Sequence, residues 1–256
     1  MSTGLHDSFL SVPLAHRALH DVSDGRPENS RAAIRAAIDL GYGIEIDLQL
    51  SSDGQAMVFH DYQLDRLTAE AGPIRQRTSQ ELADIHLTGG SEGVPTFAEV
   101  LALVDGQVPV LVEIKDQDGA LGTDVGLLEE AAAAALQGYN GPVAVMSFNP
   151  HSVEMMAQLA PDVPRGLVSE DFNLREWPLV SKDVRDRLNE IPDYDRVGAC
   201  FISHLACDLG RARIGALKQA GATVLCWTVK SPEAEAEARR VADNVTFEGY
   251  LASFTR

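Results

Sequence analysis

Short apolar runs alternate with alanine-rich stretches along the 256-residue chain, and this alternation limits the possible folds more than any other feature. Nine runs rich in apolar and β-branched residues have the length of strands: residues 12–15, 43–50, 56–59, 108–114, 143–146, 165–168, 199–202, 222–229 and 247–251. Helix-like stretches lie between them, at residues 30–40, 97–104, 125–137, 153–159, 209–220 and 233–242. This alternation predicts βαβ units and a parallel sheet, and the continuous apolar runs indicate strands that are covered on both faces.

The second and third runs cannot both belong to a parallel sheet. Only residues 51–55 separate them, whereas a parallel crossover needs about a dozen residues or more. The pair Asp53-Gly54 in this segment is typical of a two-residue type I′ hairpin turn. The third run therefore returns antiparallel to the second, which leaves eight parallel strands. We expect a single α/β domain over residues 1–256, a TIM-type (β/α)8 barrel with a β-hairpin excursion after strand 2, although an open doubly wound sheet would also fit.

The hairpin predicts a cluster of polar side chains. A two-residue turn places Asp47 opposite His60, and Glu45 points to the same side of its strand as Asp47, so the three side chains converge. Two carboxylates in an apolar run repel each other and resist desolvation unless positive charge compensates them. A divalent cation with oxygen ligands, Mg²⁺ or Ca²⁺, would provide that charge. An ion-paired strand at a solvated sheet edge would explain the same pattern.

A third carboxylate and two cationic side chains strengthen the metal interpretation. Glu113 and Lys115 end another apolar run and share one face, at the strand end where barrels build active sites. Glu113 could bind a metal and Lys115 could face an anionic substrate; the alternative is an internal salt bridge, which seldom repays its desolvation. His16 and Arg17 end the first strand, and we expect His16 and His60 to serve as general acid and base and Arg17 to bind phosphate.

Composition bounds the compartment and the partners. The chain carries 38 acidic and 21 basic residues, a net charge of −17, which argues against binding of nucleic acid. Three cysteines, Cys200, Cys207 and Cys226, are too few for a disulfide framework and indicate a reducing compartment. No stretch approaches the ~18 apolar residues of a membrane span, and the first residues do not resemble a signal peptide. We expect a cytoplasmic protein with a small-molecule partner; the sequence does not specify an oligomeric state.

Taken in order, these and further motifs resemble the glycerophosphodiester phosphodiesterase family, in its bacterial cytoplasmic type. The resemblance rests on His16-Arg17, Pro27-Glu28-Asn29-Ser30, Glu45-Ile46-Asp47, Asp53-Gly54, Val58-Phe59-His60-Asp61, Leu64-Asp65-Arg66-Leu67-Thr68, Pro95-Thr96-Phe97, Val112-Glu113-Ile114-Lys115, Ser147-Phe148-Asn149, Pro164-Arg165-Gly166-Leu167 and Trp227-Thr228-Val229. It covers nearly the whole chain, from about residue 16 to residue 230. The ordered set is highly specific, although each motif alone would be weak.

The resemblance implies a TIM-type barrel that hydrolyses glycerophosphodiesters, such as glycerophosphocholine or glycerophosphoethanolamine, to glycerol 3-phosphate and an alcohol. It implies that Glu45, Asp47 and Glu113 hold Mg²⁺ or Ca²⁺ and that His16 and His60 are the acid/base pair. The family pattern further assigns Arg17 and Lys115 to the phosphate and Trp227 to the wall of the substrate pocket.

Three positions depart from the family pattern. Ala18 follows Arg17 where the family usually has Gly. Lys230 stands where Asn is usual and hints at a more anionic substrate. Ser253 replaces an Asp of the last strand. These departures keep a non-catalytic barrel that binds phosphorylated metabolites as one alternative. Another alternative is a phospholipase D-like enzyme acting on lipids or lysolipids, which would need an exposed apolar rim; Leu19, Phe172 and Trp177 are the only hints of one. His204 ends a predicted strand without an assigned role, and residues 177–187 read as a solvated helix or loop without function.

Overall fold

Eight parallel strands form a closed ring in the computed structural model, which describes residues 4–254. In chain order the ring strands are β1 (Leu14–Ala15), β2 (Gly43–Leu50), β4 (Val110–Ile114), β5 (Val143–Ser147), β6 (Arg165–Ser169), β7 (Phe201–Leu205), β8 (Thr223–Val229) and β9 (Asn244–Phe247), and the strand outside the ring is β3 (Ala56–Val58). Closure is direct, because β1 pairs in parallel with both β2 and β9. The predicted (β/α)8 barrel is confirmed and the open sheet is excluded; residues 1–3 and 255–256 of the predicted domain lie outside the described residues.

Helices between the strands cover the outside of the ring. They are α2 (Arg31–Leu40), α4 (Phe97–Val104), α5 (Leu127–Leu136), α6 (Pro150–Leu159), α7 (Lys182–Asn189), α8 (Ala212–Gln219) and α9 (Pro232–Ala238), with α1 (Ser8–Ser11) before the barrel and α3 (Ser79–Asp84) in the excursion. Local sequence fixes their ends: the Ser30 hydroxyl accepts from the Ala33 N–H at the start of α2, and Gly41 ends this helix at φ 74°. Thr96 and Glu99 form a reciprocal capping box that starts α4 at the predicted residue.

The core has two apolar layers, one on each side of the ring. Between strands and helices lies the larger layer, which includes Ile34, Ile46 and Val112. The smaller layer lies within the barrel and includes Leu111, Phe201 and Leu225; Phe9 of α1 packs against it. Strands that are covered on both faces explain why the sequence shows continuous apolar runs rather than alternation.

The excursion after β2 forms a separate apolar cluster beside the barrel. Strand β3 pairs antiparallel with β2, and its Met57, together with Phe59, packs on Leu64, Ile74 and Leu82. The turn differs from the predicted one: the Ser51 N–H donates to the Gln55 carbonyl, so three residues form the loop, with Gly54 alone at positive φ (77°). This extra loop residue shifts the register by one position, and Asp47 lies opposite Phe59, not His60.

The last strand lies earlier in the chain than its apolar run suggests. The predicted strand at residues 247–251 is wrong, because β9 spans Asn244–Phe247. Asn244 and Thr246 make this segment look polar, yet both are buried, and the Asn244 amide donates to the carbonyls of Phe9 and Val12. Ser253 therefore follows the strand, and its departure from the family pattern does not affect the hydrogen bonds that close the barrel.

Within the described residues, no helix has the length and apolar character needed to cross a membrane.

Candidate active site

A cavity of about 870 Å³ opens where the carboxyl ends of the barrel strands meet. Every residue that the sequence singles out for the site lines this cavity, namely His16, Arg17, Glu45, Asp47, His60, Glu113, Lys115 and Trp227. They lie in or directly after β1, β2, β4 and β8 and in the segment after β3, and the barrel brings these strand ends together at one mouth.

Three buried carboxylates line one side of the cavity. Asp47 of β2 is the register partner of Glu113 of β4, and Glu45 precedes Asp47 by two positions on the same strand face. One oxygen from each of these side chains lies within 4.8 Å of the others. Burial, together with repulsion from Asp47 and Glu113, raises the pKa of Glu45 well above its usual range.

Lys115 and Arg17 offset part of this negative charge. The Lys115 ammonium lies 2.8 Å from Asp47 Oδ1 and 2.7 Å from Glu113 Oε1, and the Arg17 Nε lies 3.6 Å from Asp47 Oδ2. Burial opposes ionisation of Asp47, but Lys115 and its other cationic neighbours outweigh burial and hold the Asp47 pKa well below its usual range. Glu45 receives only the Arg17 backbone N–H, at 3.0 Å, and no basic side chain among the described residues reaches within 4.0 Å of it.

Each of the two site histidines, His16 and His60, contacts a carboxylate through Nδ1. His16 Nδ1 lies 2.7 Å from Glu248 Oε2, and His60 Nδ1 lies 2.7 Å from Asp61 Oδ1. Burial lowers the pKa of His16, while its hydrogen bond to Glu248 acts in the opposite direction. The same bond lowers the pKa of Glu248 to about 2. With Nδ1 engaged in this way, Nε2 is the ring nitrogen that is left to exchange a proton with a substrate.

His60 reaches the cavity although its predicted register is wrong. Strand β3 ends at Val58, so His60 lies beyond the sheet and strand alternation does not set the direction of its side chain. Phe59, one position earlier, packs into the excursion cluster. The Gln49 amide donates to the His60 carbonyl at 3.0 Å and fixes the backbone there.

Ion pairs tie the two histidine segments together. The Arg17 Nη1 lies 2.7 Å from Glu28 Oε1, and Arg66 binds both Glu28 and Asp61. The guanidinium of Arg66 thereby connects the carboxylate that holds His60 with the carboxylate that holds Arg17. This network fixes the two cavity walls relative to each other.

The departures at Ala18 and Lys230 have direct structural outcomes. Arg17 and Ala18 both adopt left-handed backbone, with φ of 53° and 66°, so the conformation expected of a glycine is kept despite the Cβ. Lys230 Nζ lies 3.5 Å from Glu248 Oε1, and its side chain is 68% exposed. Lys230 lines the cavity, and Glu248 offsets part of its charge there.

Aromatic side chains form the wall opposite the excursion. Phe148 follows β5, Trp177 lies in the loop between β6 and α7, and Trp227 lies in β8. The Phe148 ring centre is 4.9 Å from that of Trp177 and 5.6 Å from that of Trp227. All three rings line the cavity.

The sequence matches the glycerophosphoryl diester phosphodiesterase family over residues 16–246. The chain belongs to this family. The predicted family and enzyme class, glycerophosphodiester phosphodiesterase, are thereby confirmed.

Individual relatives agree with this assignment. A putative glycerophosphodiester phosphodiesterase of Bacillus subtilis is 27% identical over 235 residues, which is 88% of each chain. A glycerophosphodiester phosphodiesterase of Caldanaerobacter subterraneus is 33% identical over 176 residues, 65% of this chain and 70% of the relative.

Solved structures share the fold at low sequence identity. An Oleispira antarctica phosphodiesterase, solved with its product sn-glycerol-3-phosphate, is 24% identical, has a TM-score of 0.73 and is covered over 94% of both chains. A putative glycerophosphoryl diester phosphodiesterase of Agrobacterium tumefaciens is 19% identical, with a TM-score of 0.75 and 93% coverage of both chains.

Several side chains at this family site escape prediction from the sequence. Glu248 and Glu170 line the cavity, but Glu248 falls inside a wrongly placed strand and Glu170 belongs to no quoted motif. Trp177 lines the cavity as well; the sequence names it only as a hint of an apolar rim and predicts no function for residues 177–187. Glu28, Asn29 and Asp61 stand within quoted motifs without a predicted role, and the Asn29 amide donates to Asp47 at 3.0 Å. His204 does not line the cavity; it lies within β7 and is buried, and its Nδ1 lies 2.8 Å from the Ser169 hydroxyl.

Proposed function

We propose that this cavity hydrolyses water-soluble glycerophosphodiesters, such as glycerophosphocholine or glycerophosphoethanolamine, to glycerol 3-phosphate and an alcohol, with the help of a divalent cation. One observation carries the proposal: a buried carboxylate triad lies in the same cavity as two histidines that are each held by a carboxylate. A site that only binds a ligand has no need of a matched acid/base pair.

The carboxylate triad fits a divalent cation. Glu45, Asp47 and Glu113 offer oxygen ligands, which Mg²⁺ and Ca²⁺ prefer, and within residues 4–254 no basic side chain forms an ion pair with Glu45. When bound, the cation would supply Lewis-acid polarisation of the phosphodiester and neutralise charge that develops on it.

The histidines move the protons. Hydrolysis needs one group to take a proton from the attacking hydroxyl and another to give a proton to the leaving alcohol. His16 and His60 perform these two steps through Nε2, since Glu248 and Asp61 hold their Nδ1 atoms. The two arrangements are alike, so either histidine can serve as the base. The attacking hydroxyl is that of water, or that of the substrate's own glycerol; in the second case the alcohol leaves as a cyclic phosphate forms, and water then opens this ring to glycerol 3-phosphate.

Cationic side chains hold the phosphate. Arg17 offers a planar fork that matches two phosphate oxygens, and Lys115 adds a point charge beside the triad. Trp227 lines the substrate pocket on the opposite side, where its indole N–H donates to the Ser203 carbonyl at 3.0 Å and fixes the ring.

Two substitutions test these roles. His60→Ala should lower kcat about 10²- to 10⁴-fold, because general acid–base catalysis contributes this much. Glu45→Gln should remove the increase in Tm that Mg²⁺ or Ca²⁺ gives the unaltered protein, because a ligand that binds the folded state stabilises it. Steady-state hydrolysis and thermal unfolding with and without the cation measure these effects.

The controls separate site chemistry from general damage. His86→Ala removes an exposed histidine and Glu237→Gln removes an exposed carboxylate, and neither residue lines the cavity. Both variants should keep full activity and the metal-dependent Tm shift. Full activity of His60→Ala would contradict its acid/base role, and an unchanged Tm shift in Glu45→Gln would contradict its role as a metal ligand.

A lipid-directed activity is the second candidate. The expected apolar rim does not form from Leu19, Phe172 and Trp177, since Phe172 is buried and the other two are partly buried. Leu174 and Leu179 in the same loop as Trp177 are nevertheless exposed, by 62% and 73%. Activity on micellar lysophospholipid but not on soluble diesters would favour this candidate. The confirmed enzyme class leaves the non-catalytic alternative without support.

We further propose one domain over residues 1–256, because the closing strands β1 and β9 come from opposite ends of the chain. Residence in the cytoplasm stays a prediction, supported by the low number of cysteines, three in the whole sequence.

A further inference from the structure

Beyond the carboxylate triad, two neighbouring strands end in amide side chains. The face of β2 that carries Asp47 continues to Gln49, two positions later. Beside it, Gln117 follows two positions after Lys115, just past the end of β4. The Lys115 N–H donates to the Leu48 carbonyl at 3.3 Å, so the parallel pairing of these strands continues past β4. The two amides therefore lie next to each other, on the side of the triad nearer the carboxyl ends of the strands.

Hydrogen bonds join the two amides to the backbone of two site residues. Gln117 Nε2 donates to Gln49 Oε1 at 3.0 Å and to the Lys115 carbonyl at 2.8 Å. Gln49 Nε2 donates in turn to the His60 carbonyl at 3.0 Å. Gln49 and Gln117 thus form an amide bridge that connects the main chain of Lys115 in the barrel with the main chain of His60 in the excursion.

The amide bridge holds His60 where regular strand pairing has ended. Strand β3 stops at Val58, and the Phe59 N–H still donates to the Asp47 carbonyl at 2.9 Å. One residue further on, the Gln49 amide takes the place of a strand partner for the His60 carbonyl. The His60 side chain is 30% exposed, so packing alone does not fix the imidazole.

The surroundings of Gln49 do not require an amide. Its side chain is 2% exposed, and its register partner on β3 is the buried Met57. An apolar side chain of similar size would fill this place and would avoid the cost of burying a polar group. The amide adds direction, because a fully satisfied hydrogen-bond network fixes the distance and angle of each group in it.

We infer that Gln49 is a positioning residue for the reaction and that it acts through the amide bridge, by fixing His60 relative to Lys115 and the triad. The inference rests on the proposed function for the role of His60 as acid or base. Gln49 lines a neighbouring pocket of about 330 Å³, together with Gln117, rather than the active-site cavity. Its effect on the reaction therefore passes through His60 and not through contact with the substrate.

Steady-state hydrolysis of glycerophosphocholine by the full chain tests this role. Gln49→Met keeps the size of the side chain and removes the amide. It should lower kcat roughly 10- to 100-fold, because a displacement of about 1 Å in a reacting group is this costly. KM should change little, since Lys115 keeps its ion pairs with Asp47 and Glu113.

Gln107→Met is the matched control. Gln107 also donates its amide to a main-chain carbonyl, that of Val104 at 3.0 Å, but it lies outside the cavity. The control variant should keep the kcat of the unaltered protein. Full kcat in Gln49→Met would overturn the inference.

Combination with His60→Ala shows whether Gln49 acts through His60. In the double variant, Gln49→Met should lower kcat little beyond the loss caused by His60→Ala, because the group that it positions is gone. The same fractional loss with and without the His60 imidazole would overturn the inference. Gln117→Met removes the outer half of the amide bridge at a partly exposed position, so it provides the same test if Gln49→Met fails to fold. We expect a smaller loss of kcat from it, which should likewise vanish in the His60→Ala background.

An NMR measurement examines His60 without any turnover. The ring Cε1–H signal of His60 is the one that is missing from the spectrum of His60→Ala. Gln49→Met should shift or broaden this signal and leave that of the exposed His86 unchanged. An unmoved His60 signal would contradict the inference. If the unaltered protein hydrolyses neither glycerophosphocholine nor glycerophosphoglycerol with Mg²⁺ or Ca²⁺, the proposed function is rejected, while the NMR result still decides whether Gln49 positions His60.

Discussion

The histidines of this protein lie in very different environments, which differ in burial and in the group that contacts Nδ1. His16 and His60 face the cavity with a carboxylate on Nδ1, whereas His204 is fully buried with a hydroxyl on Nδ1. The nearest carboxylate to the His204 ring is that of Asp208, with Oδ2 3.4 Å from Nε2. The same residue type therefore serves catalysis at two positions in our account and packing at the third.

The buried His204 should make stability depend on pH near neutrality. Burial lowers its pKa below the ordinary value of 6.5, although Asp208 opposes this shift. The unfolded chain therefore binds more protons as pH falls through about 6.5, and the free energy of unfolding should decrease. His16, whose pKa is also lowered, contributes in the same direction. Urea unfolding at pH 7.5 and 5.5 measures the change in unfolding free energy. Most of it falls between about pH 6.5 and 5.5, and it is at most about 1.4 kcal/mol per histidine.

His204→Gln isolates this residue's contribution. The variant should show a smaller difference in unfolding free energy between the two pH values, whatever its absolute stability. His86→Gln, at an exposed position, should leave the difference unchanged. A His204→Gln protein with the same pH dependence as the unaltered protein would contradict the argument.

Residues that depend on distant partners could not be predicted from the sequence. The cluster of Glu45, Asp47 and Glu113 was predictable because neighbouring parallel strands end together at one side of the sheet. The contact between His16 and Glu248 joins positions 232 residues apart, and no local pattern encodes it. Glu170 likewise becomes significant only when Trp177, seven positions later, folds back over it.

At the scale of elements, local signals fixed the bounds of some strands and helices but not of others. Strand β2 and helix α4 have the predicted bounds, since one is continuously apolar and the other begins with a capping box. Helix α6 begins at Pro150, earlier than its apolar pattern suggests, because Asn149 caps it and proline suits the first turn. The Asp53-Gly54 pair fits both a two-residue and a three-residue hairpin loop, so composition alone could not fix the register.

Two glycines in different elements should respond oppositely to alanine. A Cβ at Gly166 in β6 would lie 2.4 Å from the ring of the fully buried Phe201, so Gly166→Ala should cost about 1–3 kcal/mol. Gly215 lies within α8 with no atom within 4 Å of its added Cβ, and Gly215→Ala should stabilise by about 0.5–1 kcal/mol.

Thermal unfolding measures both glycine effects. For a chain of this length each kcal/mol corresponds to roughly 2–4 °C in Tm. Gly166→Ala should therefore melt several degrees below the unaltered protein and Gly215→Ala slightly above it. A Gly166→Ala protein that melts at or above the unaltered Tm would show that the approach of β6 to Phe201 is not tight.

At the scale of the whole molecule, the acidic character and the reaction are compatible. A net charge of −17 repels long polyanions, because a long polyanion responds to the charge averaged over the whole surface. At the triad itself, a divalent cation together with Arg17 and Lys115 would outweigh the three carboxylates by one charge. A small phosphodiester monoanion can therefore bind locally to a molecule that is strongly acidic overall.

The closed barrel explains why so many site residues could be predicted together. Once eight parallel strands were counted, the end of each strand became a candidate position, and the family motifs fall at those ends. The wall formed by the loop between β6 and α7 could not be predicted in this way, because a charged loop gives no periodic signal for its placement.

The most direct test of the account is release of glycerol 3-phosphate from glycerophosphocholine and glycerophosphoglycerol by the purified protein, first with a chelator and then with Mg²⁺ or Ca²⁺ restored. We predict no measurable product in the chelator and recovery of hydrolysis on addition of one of these cations. Undiminished hydrolysis in the chelator, or no product with either cation, would contradict metal-assisted phosphodiester hydrolysis at the Glu45, Asp47 and Glu113 triad.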